Sequence, residues 1–193
     1  MGAITKLGLI AGGAIGVIVG AKMLVTRYGL MKKMMFTARK SKLGFEETVA
    51  AIKESAIESG WEIPHEYDIQ QQYKKAGHED MTRVKIIYLC HPHGGYRILK
   101  DDADKAMSVV MPGGVSVYEA ADGQVYVAGL NYELMNGMFS GTVKEVLKEA
   151  ATMYANTLHG IAEESNDRQS LLQMPARMMT QMMSFMMGYM PDE

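Results

Sequence analysis

"VSVYEAADGQVYVAGL", residues 115–130, sets the fold. Two Val- and Tyr-rich runs alternate on either side of Ala120-Ala121-Asp122-Gly123. Asp-Gly between alternating apolar runs marks a β-hairpin. Outward from the hairpin, "RVKIIYLC" (83–90) is the strongest further strand. "WEIPHEYDI" (61–69) reads as an edge-like strand, because Pro64 cannot donate to a ladder.

Helical periodicity brackets these strands. Phe45, Val49, Ile52 and Ala56 repeat at helical spacing, which predicts a helix over 45–59 closing at Gly60. A second helix is expected from about Gly95 to Lys105. Val143, Val146, Leu147, Ala150, Tyr154, Leu158 and Ile161 make a long amphipathic helix. The order α-β-β-α-β-β-α predicts an α+β fold, an antiparallel sheet with helices packed on one face. No repeat of solenoid length is present. Residues 43–163 supply enough chain for one ordinary domain.

The amino terminus differs in character. From Leu7 to Val25 only Lys22 is charged, and these 19 residues approach the ~20 that cross a bilayer as a helix. Residues 1–25 are therefore expected to form a single-pass membrane anchor. Gly8, Gly12, Gly16 and Gly20 keep to one side of such a helix. Small residues at this spacing let helices approach closely in lipid, so a self-associating glycine zipper and a homo-oligomer are expected. A signal peptide cleaved near Val19-Gly20-Ala21 is the competing reading, but apolar residues continue past that site through Val25.

Charge is segregated along the chain. Of 20 basic residues, 8 lie in 1–42, while all 22 acidic residues lie in 43–193. Lys and Arg beside a span favour the cytoplasmic side, which puts the main domain there. The basic arm 26–42 suits anionic lipid headgroups, and membrane lipid is an expected partner. The remainder carries about −10, which argues against nucleic acid. Cys90 is the only cysteine, so an intrachain disulfide is excluded.

Two stretches carry candidate chemistry. In "YLCHPHGGY" (88–96), Cys90 is a soft ligand and His91 and His93 are borderline ones. The cluster ends the best strand, where loops tend to carry function, and Gly94-Gly95 leaves room for a ligand. Haem or Cu(I) is the candidate cofactor, with His91 the first choice of direct ligand. Cys90 as a nucleophile is a further alternative. The plain alternative is a buried cysteine followed by a polar turn. Adjacent strand side chains face opposite ways, so Cys90 and His91 are poor partners. His65, His78 and His159 could join only through the fold.

After a polar linker, 164–173, the tail "MPARMMTQMMSFMMGYM" (174–190) holds 8 of the 19 methionines. On a helix they fill one broad arc, giving an amphipathic Met-rich helix over 174–193. It suits packing against another subunit, contact with the membrane interface, or thioether ligation. Met178, Met182 and Met186 are the candidate metal ligands.

The ordered motifs "GFEETVAAIKESAIESGWEI", "CHP", "ILKDDAD", "VVMPGGVSVYE" and "DGQVYVAGLN" together resemble the domain of unknown function 302 family over 43–163. The resemblance implies a small α+β domain that can dimerise, with no shared enzymatic reaction. The family often has cysteine after the proline of an "LLPC" motif. Here Gly113 follows Met111-Pro112, so a two-cysteine redox pair is not available. The resulting expectation is a membrane-anchored, self-associating binding or electron-transfer module. Its alternative is a cofactor-free structural or accessory subunit of a membrane complex.

Overall fold

Asp-Gly turns the chain where the sequence predicts. In the computed structural model, which describes residues 35–164, Gly123 has φ 78° and its N–H donates to Ala120 O at 2.9 Å. That dihedral is open to glycine and closed to most side chains. The turn joins β4 (Gly113–Glu119) to β5 (Val125–Leu130). With β1 (Phe36–Lys40), β2 (Glu62–Asp68) and β3 (Val84–Cys90) they form an antiparallel sheet of order β1-β5-β4-β3-β2. β2 lies at an edge, as Pro64 requires, and its pairing shifts register between Glu62 and His65.

Alternation gives the sheet two unlike faces. Ile87, Leu89, Val115, Val117, Val125 and Val127 are buried on one. Against them pack α1 (Phe45–Glu58), through Phe45, Val49, Ile52 and Ala56, and α5 (Gly141–Leu158), through Ala150, Tyr154 and Leu158. The expected arrangement of helices on one face is present. Burying each such large side chain contributes roughly 1.5–3 kcal/mol. The other face is half-buried and more polar, with Tyr118 stacked on Tyr126 across strands at 5.4 Å. At the end of the helix-covered face, Arg83 holds Glu119 through two contacts of 2.8 and 3.1 Å. Its guanidinium also lies 4.7 Å above the Phe45 ring.

Four elements differ from expectation. Phe36–Lys40 falls within the stretch read as a basic arm, yet it is an edge strand paired with β5. Thr37 is buried and Arg39 half-buried while Ala38 and Lys40 face out, so the alternation is real but hidden by the basic residues. The helix expected over 95–105 is two pieces, α3 (Pro92–Leu99) and a 3-10 helix (Asp102–Val110). Pro92 suits the first turn of α3, and Asp101 caps the second piece through Ala103 N at 3.1 Å. Short helices α2 (Ile69–Lys75) and α4 (Tyr132–Met138) were too brief to show a period. Both begin at Asx caps, Asp68 on Gln71 N at 2.8 Å and Asn131 on Leu134 N at 3.1 Å.

The expected anchor, with Gly8, Gly12, Gly16 and Gly20, and the linker and Met-rich tail, with Met178, Met182 and Met186, lie outside the described residues. Among the described residues no helix is long and apolar enough to cross a membrane.

Candidate functional site

Beyond the end of β3 the sheet and helices leave a cavity of about 340 Å³. α3 and the 3-10 helix close one side through Ile98, Leu99 and Met107. Val146 and Leu147 of α5 close the other, with Met111 and Met135 adding sulfur to the wall. Its size falls within the range of small-ligand sites, roughly 300–1,000 Å³. Among the described residues the wall carries no carboxylate, ammonium or guanidinium side chain. Its polar side chains are Trp61, Cys90, His91, Tyr96 and Tyr132.

Each of these polar groups is set by local chain geometry. His91 occupies the N-cap of α3 in an extended conformation. Its ring meets Trp61 edge-on at 6.3 Å and His93 at 6.4 Å. Gly94 is buried, and a Cβ there would lie 2.6 Å from His91 Nδ1 and 3.0 Å from Val146. The first glycine of the Gly-Gly pair thus makes room for the imidazole. The second, Gly95, borders the cavity, and a Cβ there would meet nothing within 4 Å.

Cys90 pairs with Glu62 across strands, opposite in pleat to Leu89. Burial, and then the Glu62 charge, push its thiol up, which favours S–H over the thiolate needed for metal ligation or attack. His93 is exposed on the first turn of α3. Among the described residues no group of three or more His, Cys, Asp or Glu is placed to hold a metal ion. Cys90, His91 and His93 are neighbours in sequence that do not close into such a centre. His65, His78 and His159 do not border the cavity.

Two wall residues carried no sequence signal of function. Trp61, the sole tryptophan, is 6 % exposed, and its buried indole N–H has no hydrogen-bond partner among the described residues. Tyr132 opens α4 immediately after the Asn131 cap, and its ring meets Tyr154 edge-on at 5.5 Å. Its hydroxyl occupies the space that a Cβ at Gly113 would take, so a glycine at the start of β4 admits it. Burial pushes that hydroxyl up to about 12, which leaves it protonated throughout the physiological range. The Asn131 cap foretold a helix start but not which side chain would reach the cavity.

Comparison with known proteins agrees with this architecture. The model of the family "Domain of unknown function DUF302" matches residues 37–164. The crystal structure of an uncharacterized conserved DUF302 protein from Bacillus stearothermophilus is similar to this chain with a TM-score of 0.55 at 18% identity. The similarity covers 64% of this chain and 94% of that one, and it speaks to the fold alone. No curated protein matches. A domain that pairs the α1 and α5 helices with this five-stranded sheet, and that matches the family model from β1 to the end of the described residues, is thereby placed: the chain belongs to the DUF302 family.

Proposed function

We propose that this protein is a membrane-anchored binding module whose domain holds a small, mostly apolar molecule beyond the end of β3. The observation that carries the reading is the cavity of about 340 Å³ with its sulfur- and aromatic-rich, uncharged wall. A charged ligand there would lose its hydration and meet no carboxylate, ammonium or guanidinium group among the described residues. Residues 7–25 would hold the domain beside the bilayer on its cytoplasmic side, where apolar molecules concentrate, and the glycine face would associate copies. Of the wall residues able to ligate haem iron, the His91 imidazole is the first choice. Cu(I) fits less well, because burial disfavours the Cys90 thiolate. An accessory-subunit role remains the alternative.

Filling the cavity tests the reading. Gly95→Phe introduces a side chain at a wall position with open space around its Cβ. In full-length protein in detergent, the neutral probe N-phenyl-1-naphthylamine should bind the wild type at least about tenfold more tightly than Gly95→Phe, a difference of about 1.4 kcal/mol. The variant should melt at the same or a higher temperature, since it removes a helical glycine. Equal binding by both proteins contradicts the cavity as the site. A Soret band in purified protein, lost in His91→Ala, would shift the assignment to haem.

A further inference from the structure

We infer that the cavity selects a neutral carbonyl compound, a ketone, aldehyde or quinone with an apolar body, through a hydrogen bond from the Tyr132 hydroxyl. The inference rests on the cavity being a binding site and names the class of its ligand. Three observations converge. Among the described residues the wall holds no carboxylate, ammonium or guanidinium side chain, so a carboxylate, phosphate or amine meets no such group of opposite charge there. The Tyr132 hydroxyl is held over Gly113, another wall residue, and the wall's buried Trp61 indole N–H has no hydrogen-bond partner among the described residues. Its burial keeps it a proton donor at any physiological pH.

Donor counting then separates the neutral classes. A carbonyl oxygen has two lone pairs for the wall's donors, the Tyr132 hydroxyl and the orphaned Trp61 N–H, and brings no donor of its own. An alcohol brings a second O–H. If Tyr132 donates to it, the ligand's proton is stranded unless it reaches the His91 ring or the Tyr96 hydroxyl; if it donates to Tyr132, the tyrosine's proton gains nothing from the ligand. An orphaned O–H in an apolar cavity weakens binding by about five- to a hundredfold. A hydrocarbon offers no acceptor to either donor.

The test uses full-length protein in one detergent, with Trp61 fluorescence as the readout. Trp61 is the only tryptophan and borders the cavity, so the signal reports this site. Probes are 2-nonanone, 2-nonanol, nonanoate and nonane, each titrated into wild type, Tyr132→Phe and Gly95→Phe. Expected is 2-nonanone about tenfold tighter than 2-nonanol, with nonanoate weaker still. Tyr132→Phe should lose about three- to tenfold for 2-nonanone and nothing for nonane, which also certifies that its cavity is intact. The bound ketone's carbonyl stretch should move to lower wavenumber in wild type and not in Tyr132→Phe. Equal affinity for ketone and alcohol, or no effect of Tyr132→Phe on the ketone, overturns the carbonyl class. The cavity reading survives that result if Gly95→Phe still blocks nonane. If no probe binds any protein, the cavity reading itself falls.

Discussion

Gly129→Ala is expected to destabilise the domain by about 3 kcal/mol, more than most exposed substitutions by a wide margin. Gly129 lies in β5 between Thr37 of β1 and Val115 of β4. A methyl group there would overlap the Tyr154 hydroxyl and stand 2.8 Å from Cζ and 3.2 Å from Cε2 of the same ring. The ring cannot easily withdraw. It is 5 % exposed, is braced edge-on by Tyr132, and belongs to the helix that covers the sheet. Tyr154→Phe should cost little alone, because its hydroxyl is buried without a partner. Thr37 is its polar neighbour, yet the pair does not reach hydrogen-bond geometry. Phe at 154 beside Ala at 129 should recover about 1 kcal/mol of the loss, as expected of two residues in contact. Urea unfolding of the four proteins measures this. Strict additivity would mean that the clash is relieved by β5 rather than by the ring.

Ile87→Ala is expected to cost about 4 kcal/mol. Ile87 is fully buried on β3, in register with Glu66 on one side and Val115 on the other, and it faces the helices. Truncation removes its burial and leaves a void beneath α1 that close packing on every side keeps from collapsing. Its chain neighbour Ile86 points to the opposite face and is only half-buried. Ile86→Ala should therefore cost less than half as much. Equal losses at the two positions would contradict the assignment of faces. The comparison tests the register of β3, since a one-residue slip would exchange the two side chains.

The fold was largely legible because its main elements have strong local periods. Asp122-Gly123 announced the hairpin, Pro64 announced an edge, and Val49, Ile52 and Ala56 announced α1. β1 was hidden because Arg39 and Lys40 end it and Lys42 follows, so it read as part of a basic arm, and its pairing with β5 is a non-local event. Pro92 starts α3 earlier than the apolar pattern suggested, and Asp101 divides it from the 3-10 helix. The site was legible only in part. "YLCHPHGGY" pointed to the right end of the right strand, and His91 does border the cavity. Cys90 borders it too, His93 is exposed, and among the described residues the three do not form a metal-holding group. Tyr132 could not be read as a wall residue, because its position depends on the absence of a side chain at Gly113, a contact made by folding rather than by sequence spacing.

The central claim is a stable cavity that takes apolar ligands, and xenon tests it most directly. Apolar cavities of this kind admit xenon, which needs no polar partner and reports space alone. Crystals of the protein pressurised with xenon should show a strong anomalous peak between Ile98, Met111 and Leu147, and the peak should vanish in Gly95→Phe. A wild-type crystal with ordered side chains and no xenon at that place would contradict the account.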